Sequence, residues 1–110
     1  MEFYTNFLQQ VVSSIIGTKG NRDQQAIKKL KRATAYAKTG DFEQAIADYD
    51  KAIELNPDYA DAYFNRGVAH AASGNYEQAI QDIEMYRDLA ADAPDWEEVE
   101  EIIEQLQSQQ

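Results

Sequence analysis

The sequence predicts an all-α fold in which antiparallel helical hairpins stack into an α-solenoid, with one extra helix at each end. The main observation is an internal repeat: residues 26–59 and residues 60–93, aligned at a shift of 34, are identical at twelve positions. Repeats of this length build stacked helical hairpins. Glycines and prolines end the apolar segments at matching intervals, and no segment shows the alternation of a half-buried strand.

Residues 2–16 are expected to form the N-terminal helix, in which apolar residues come as adjacent pairs at every fourth position. Residues 17–21 contain two glycines and are expected to break this helix and form a flexible joint. Eight exposed apolar side chains would be unfavourable in water, so we expect another surface to cover them. These predicted interface residues are Phe3, Tyr4, Phe7, Leu8, Val11, Val12, Ile15 and Ile16.

The first repeat is predicted to contain two helices that meet at Gly40. The first helix runs from about residue 22 to residue 39, and Gly40 suits the left-handed conformation that ends a helix. Asp41 can cap the second helix, with Gln44 completing a capping box. This second helix is expected over residues 42–55.

The dipeptide Asn56-Pro57 is expected to stop that helix, because proline cannot continue the hydrogen-bond ladder. The same two residues are expected to start the next helix, with Asn56 as the N-cap and Pro57 in the first turn. That helix should run to Ser73.

The second repeat replays the first. Gly74 is expected to end its first helix, Asn75 and Gln78 to form the capping pair, and a helix to follow from Tyr76 to about residue 90. Pro94 ends the repeat.

The last helix is predicted over residues 95–107, with Asp95 and Glu98 as its capping box. One side of this helix is apolar and the other is acidic, which suits a helix that closes a stack. Its predicted apolar stripe contains Trp96, Val99, Ile102, Ile103 and Leu106.

Charge is unevenly distributed along the chain, whose net charge of −10 disfavours nucleic acid as a partner. From Lys19 to Lys38 there are seven basic residues and one acidic residue, a local net charge of +6, whereas residues 39–110 carry −15. There is no cysteine, so disulfides and thiolate metal sites are excluded, and no cofactor is expected. The first residues lack the basic start and apolar run of a signal peptide, so we expect a cytoplasmic protein.

These residues resemble the tetratricopeptide repeat (TPR) family, whose pattern places small and apolar residues on two antiparallel helices. In the second copy Tyr63 takes the tryptophan position of the motif, and Gly67 and Ala79 take small-residue positions. Arg66 stands where the family has leucine. In the first copy Lys29 and Arg32 depart at the tryptophan and leucine positions, which we expect to weaken only its first turn. The residues of the first copy that fit the motif are Ala33, Tyr36, Ala45, Tyr49, Ala52 and Pro57.

The resemblance covers about residues 22–107 and divides the chain into four parts. They are an N-terminal helix with its joint (1–21), a first TPR (22–59), a second TPR (60–93) and a capping helix (94–110). The resemblance implies a non-catalytic module that binds a protein or peptide partner in a groove lined by the first helix of each repeat. By position, the groove residues are Ile27, Leu30, Lys31, Thr34, Lys38, Asp61, Phe64, Asn65, Val68 and Ala72.

One subfamily of TPR domains clamps the C-terminal carboxylate of a chaperone with two asparagines and three basic residues. At the matching positions this chain keeps only Asn65, because Leu30 and Thr34 stand at the first pair of positions and the last helix is acidic. The resemblance therefore implies a groove without this clamp.

An enzyme is not expected. His70 is the only histidine and lies among alanines, without a nucleophile or metal-ligand spacing nearby, so we expect it to pack inside the fold. The many carboxylates lie on the predicted solvent faces of helices.

Two alternatives to a peptide-binding module stay open. The first is a self-assembling scaffold, in which residues 2–16 bind a second copy and the basic and acidic ends pair head to tail. The second is a membrane-peripheral assembly factor tethered by residues 2–16. A membrane is disfavoured because the apolar pairs rotate by about 40° per step around the helix and its polar face has no basic residue. This helix could also pack on its own repeats or on a separate partner.

Overall fold

The computed structural model describes the backbone of residues 2–92 and 95–110 and the side chains of residues 20–92 and 95–110. It contains α1 (Glu2–Lys38), α2 (Phe42–Leu55), α3 (Ala60–Ala72), α4 (Tyr76–Leu89) and α5 (Trp96–Ser108). Within these described residues there is no strand. The main contacts join α1 to α2 and α3 to α4, and α2 and α4 also contact the helices that follow them. The chain extends over 66 × 30 × 18 Å, and the predicted stack of helical hairpins is confirmed.

Helix α1 is longer than the sequence predicts. The joint expected at residues 17–21 is wrong, because α1 continues through it without interruption. A glycine inside a helix costs only about 1 kcal/mol relative to alanine, and no proline accompanies the two glycines. Gly20 does not adopt a positive φ and so does not end the helix. The eight predicted interface side chains in residues 3–16 lie outside the side chains that the structure describes.

Gly40 and Gly74 end the first helix of each repeat, as predicted. Their φ angles are 83° and 84°, in the left-handed region that favours glycine. After α1, the amide of Gly40 donates to the carbonyl of Ala37 and that of Asp41 donates to Tyr36. The same two bonds follow α3, so each glycine completes a Schellman motif and turns the chain into the second helix of its hairpin.

The predicted caps are only partly observed. The side chain of Asp41 accepts a bond of 3.5 Å from the amide of Gln44, as expected, but the amide of Asp41 donates to the carbonyl of Tyr36, so the Gln44 side chain does not complete the predicted capping box. Asn75 and Asp95 occupy the N-cap positions of α4 and α5, but neither side chain caps its helix, so those two capping boxes are wrong. One carboxylate oxygen of Asp95 instead accepts a bond of 3.2 Å from the hydroxyl of Tyr86.

Helix α3 begins later than predicted, with Tyr59 rather than Asn56 as its N-cap. Asn56 has an extended backbone (φ −142°, ψ 92°), as expected for a residue that precedes proline. Its side-chain oxygen accepts from the amide of Asp58, and its carbonyl accepts from Tyr59. Residues 56–59 therefore form a turn between the hairpins instead of the first turn of α3.

The core consists of two clusters along the stack. One contains Ala33, Ala45, Tyr49 and Ala69 and joins the two repeats. The other joins α4 to α5 and contains Ile80, Ile83, Val99 and Ile103. The predicted capping helix thus buries Val99 and Ile103. Trp96 stays 42% exposed, with its indole N–H donating to the carbonyl of Ala91.

Candidate functional site

The close contact between α3 and α4 fixes the position of α3, the helix predicted to line the groove in the second repeat. It depends on Gly67, where a Cβ atom would lie 2.9 Å from Cδ1 of Ile83 and 3.2 Å from the carbonyl oxygen of Ala79. A side chain at this position would require Ile83 to move and α4 to shift by a few tenths of an ångström, so glycine suits this close spacing. The small-residue position predicted at Gly67 therefore has a direct packing role.

The two arginines at the leucine positions form equivalent ion pairs across their hairpins. Arg66 donates from Nε and Nη2 to the carboxylate of Asp82, at 2.8 and 2.7 Å. Arg32 makes the same two-bond contact with Asp48, at 2.6 and 2.7 Å. Both aspartates are buried, and hydrogen bonding from Arg32 lowers the pKa of Asp48. Arginine–carboxylate pairs joined by two hydrogen bonds are strong and directional, so each pair stabilises the contact between the two helices of its repeat.

Sequence reasoning missed these pairs and interpreted Arg32 and Arg66 as departures from the family pattern. The signal was present, because both arginines and both aspartates are among the twelve positions that are identical between the copies. An identical pair of opposite charges at the same separation in both copies predicts a contact within each repeat.

Arg66 also links the two repeats. Its Nη1 donates to Asp50 on α2 at 2.8 Å, while its other two nitrogens hold Asp82 on α4. Hydrogen bonding to Asp82, with a smaller effect of Asp50, raises the pKa of Arg66. The guanidinium therefore connects α2, α3 and α4.

His70 lies beside this network, with 16% of its side chain exposed, as expected for a packed residue. Its Nε2 lies 4.0 Å from the carboxylate of Asp82. Its Nδ1 is buried and has no hydrogen-bond partner among the described residues. Burial lowers the pKa of His70, so the neutral imidazole is favoured in the folded protein.

The ten predicted groove residues divide into two groups by exposure. Four are half-buried and contribute to the helix stack, and six are open to solvent. The half-buried residues are Leu30, Thr34, Phe64 and Asn65, and the exposed residues are Ile27, Lys31, Lys38, Asp61, Val68 and Ala72.

Three of the half-buried residues have clear partners on other helices. Leu30 packs against the first core cluster. The hydroxyl of Thr34 donates to the carbonyl of Leu30 and lies 3.1 Å from that of Tyr49. Phe64 meets the ring of Tyr86 edge to face, with the centroids 5.0 Å apart. These side chains therefore contribute to the helix stack, whereas the other six predicted groove residues remain exposed.

Two of the exposed groove residues are large and apolar. Ile27 on α1 is 42% exposed and Val68 on α3 is 49% exposed. Single exposed apolar residues are common on proteins. Here both fall on positions that the repeat pattern assigns independently to the groove, on the two helices that would form its walls.

Two other kinds of site are absent from the same described residues. They contain no group of three side chains placed to hold a metal ion. No helix there is long and apolar enough to cross a membrane.

Comparison with known families agrees with this geometry. A family model described as a TPR repeat matches residues 33–74, and one described as a tetratricopeptide repeat matches residues 61–95. Together they cover more than half of the chain. The chain belongs to the tetratricopeptide repeat family. Its recurring glycines, small residues and 34-residue period are those of a TPR array.

Among curated proteins, this TPR chain is 47% identical to an uncharacterized protein of Methanocaldococcus jannaschii over 36 residues. The match covers 33% of this chain and 42% of that protein. The chain therefore spans less than half the length of this curated relative.

Solved TPR domains share its fold over most of its length. The first TPR domain of Spaghetti (RPAP3), bound to the HSP90 peptide SRMEEVD, matches with a TM-score of 0.68 and 28% identity. The match covers 76% of this chain and 64% of the Spaghetti chain. The TPR2B domain of yeast Sti1, in a complex with pHsp70, has a TM-score of 0.72 and 28% identity, covering 78% and 71%. The second TPR domain of Spaghetti has a TM-score of 0.67 at 24% identity, covering 83% and 87%, and shows the fold alone.

Proposed function

We propose that this TPR chain is a non-catalytic interaction module that binds a peptide segment of a partner protein along α1 and α3. The observation that carries the proposal is the exposure of Ile27 and Val68 on the two helices that line the groove. Two structurally similar TPR domains, each 28% identical to this chain, were solved with a partner: one is bound to an HSP90 peptide and the other is in a complex with pHsp70. A short apolar surface on rigid helices suits an extended peptide, which needs few contacts to be held in one register.

The ligand differs from one recognised through its C-terminal carboxylate. Leu30 and Thr34, which stand at clamp positions, are turned into the helix stack. The outer face of α5 exposes Glu97, Glu98 and Glu101, which would repel a carboxylate at that end. We therefore expect recognition of side chains within a peptide instead of its terminus.

Selection from a displayed library of random peptides tests this proposal, with the full chain as bait. Val68→Asp places a charge in the groove, and Met85→Asp is the matched control, because Met85 is similarly exposed but lies on α4. Peptides selected on the natural chain should bind Val68→Asp at least about tenfold more weakly, a loss of about 1.4 kcal/mol, and should bind Met85→Asp unchanged. If no peptide is enriched, or if both variants lose the same affinity for the selected peptides, the proposed peptide groove along α1 and α3 is wrong.

A second candidate function is self-assembly through α1, favoured by the continuity of that helix. At 1.5 Å per residue, the 37 residues of α1 extend over roughly 55 Å, whereas the 14 residues of α2 extend over roughly 21 Å. Since α2 runs back along only the second half of α1, the first half continues past the hairpin. Because no turn at residues 17–21 brings the first half of α1 back towards the repeats, we favour a second copy or another partner as the surface that covers the apolar pairs of residues 3–16.

A further inference from the structure

We infer that the groove prefers an extended acidic segment, with two carboxylates three residues apart and an apolar side chain between them. This inference rests on the proposed function and names the chemistry of its ligand. The first observation is that Lys31 and Lys38, which the repeat register assigns to the groove, are exposed and form no ion pair with any described residue. Arg32 on α1 and Arg66 on α3, by contrast, are each paired with a buried aspartate.

The second observation is the spacing of the two lysines. They are seven residues apart, which places their Cα atoms about 10 Å apart along the helix axis. In an extended polyproline-type peptide, residues i and i+3 lie on the same side and about 9 Å apart. Carboxylates three residues apart therefore match the two ammonium groups.

The third observation is the position of Val68. It is the equivalent of Thr34 in the second repeat, so it lies on the neighbouring helix at a height between Lys31 and Lys38. A residue between the two carboxylates points about 120° away from them in such a peptide. Its side chain would therefore face the wall formed by α3, where Val68 is 49% exposed.

The surrounding charges limit where the acidic pair can bind. Asp61, the repeat equivalent of Ile27, is exposed at the other end of the same groove wall, and the exposed face of α5 is acidic. Carboxylates there would meet like charges, which disfavours them. The chain is negative overall, but at physiological salt exposed charges beyond about 8 Å are largely screened, so the nearby lysines dominate.

The test is an NMR titration of the full ¹⁵N-labelled chain with a synthetic peptide, acetylated and amidated, that has Glu-Leu-Ser-Glu at its centre. The matched peptide has Gln-Leu-Ser-Gln. We expect the acidic peptide to bind about tenfold more tightly and to shift amide signals of α1 and α3. Lys31→Ala and Lys38→Ala should each weaken it about threefold, as expected for exposed ion pairs, and the double variant about tenfold. Lys51→Ala should have no effect, because Lys51 lies on α2 and pairs only with exposed Glu54.

Equal binding of the two peptides, or an equal effect of Lys51→Ala, would overturn the charge preference. It would leave the peptide-binding proposal intact, since library selection judges that proposal separately. Binding only when the peptide carries a free C-terminal carboxylate would also overturn it, because it would show a site for the terminus. An absence of shifts on α1 and α3 with the acidic peptide would do the same.

Discussion

The guanidinium of Arg66 donates two hydrogen bonds, of 2.8 and 2.7 Å, to the carboxylate of Asp82. The equivalent pair in the first repeat joins Arg32 to Asp48, but the two pairs differ in exposure. The side chain of Arg66 is 21% exposed and that of Arg32 is 56% exposed. Because charge pairs are stronger where water is excluded, the second pair is expected to contribute more to stability.

The first prediction concerns Asp82→Ala, which leaves Arg66 without its main partner. We expect a loss of roughly 2–3 kcal/mol in the free energy of unfolding, as for a charged hydrogen-bonded group that loses its partner. Asp50→Ala is the control, because Asp50 is 52% exposed and bonds the same arginine, and it should cost less than about 1 kcal/mol. Urea unfolding followed by circular dichroism measures both values. Similar losses in the two variants would contradict the ranking.

The second prediction compares two glycines inside helices. Gly67→Ala should destabilise the protein by about 1–3 kcal/mol, because the added methyl group meets Ile83 and the backbone of α4. Gly20→Ala should be neutral or stabilising by up to about 1 kcal/mol, because nothing lies within 4 Å of its Cβ position and alanine is the better helix former. Thermal unfolding of the two variants checks the difference in sign. A stabilising Gly67→Ala would show that α3 and α4 do not approach so closely.

The third prediction concerns pH. Burial lowers the pKa of His70 below its ordinary value of 6.5, with Asp82 opposing this shift and Arg66 adding to it. Between the folded and unfolded pKa values the unfolded chain binds more protons, so stability rises with pH in that window. The contribution of His70 is therefore complete above about pH 6.5 and is lost as the pH falls below it.

Comparing the urea midpoints of the natural chain and His70→Gln at about pH 7.5 and about pH 5.5 isolates this contribution. The natural chain should lose more stability on acidification than the variant does. The same loss in both chains would assign the pH dependence to other groups, among them Asp48, whose lowered pKa acts at more acidic pH.

The sequence predicted most reliably those features that depend on local backbone chemistry. The bounds of α2 were predicted correctly, because Gly40 and Asp41 precede the helix and Asn56-Pro57 follows it. The cap predicted at Asp95 is wrong: one carboxylate oxygen accepts from Tyr86, which is nine residues away in sequence and near only in the fold, and the other has no partner among the described residues. Local patterns do not show such competing partners.

The predicted groove shows the same division between local and tertiary information. The repeat register predicts ten positions for it, but the register does not show which of these side chains turn inward. Thr34 does so because Tyr49 lies within hydrogen-bonding distance of its hydroxyl, and Phe64 does so because it meets Tyr86. Lys31 and Lys38 stay exposed. Their position along the helix axis relative to Val68 follows from the 34-residue shift, because Val68 is the repeat equivalent of Thr34.

The fourth prediction concerns the N-terminal half of α1. If residues 3–16 bind a second copy, light scattering behind size exclusion should give a dimer or larger species for the full chain and a monomer after removal of residues 1–20. Exposed ion pairs weaken with salt, so an assembly that also uses the basic and acidic ends should shrink at high salt. A monomer for the full chain at every salt concentration would exclude self-assembly.

The membrane alternative requires a separate measurement, flotation of the full and shortened chains with liposomes. We expect neither chain to float, because the apolar pairs wind around the helix and do not form one flat face. Flotation of the full chain alone would show that residues 1–20 bind a lipid surface.

Arg66 has a consequence for how the array unfolds. In repeat proteins the stability of each unit adds to that of its interfaces, so cooperativity depends on what crosses from one repeat to the next. When a side chain bonds to both repeats, the opening of one repeat breaks a bond that also stabilises the other. The bond from Arg66 to Asp50 adds to the apolar cluster that already joins the two repeats, so it favours unfolding in one transition, and its removal should make the transition less cooperative.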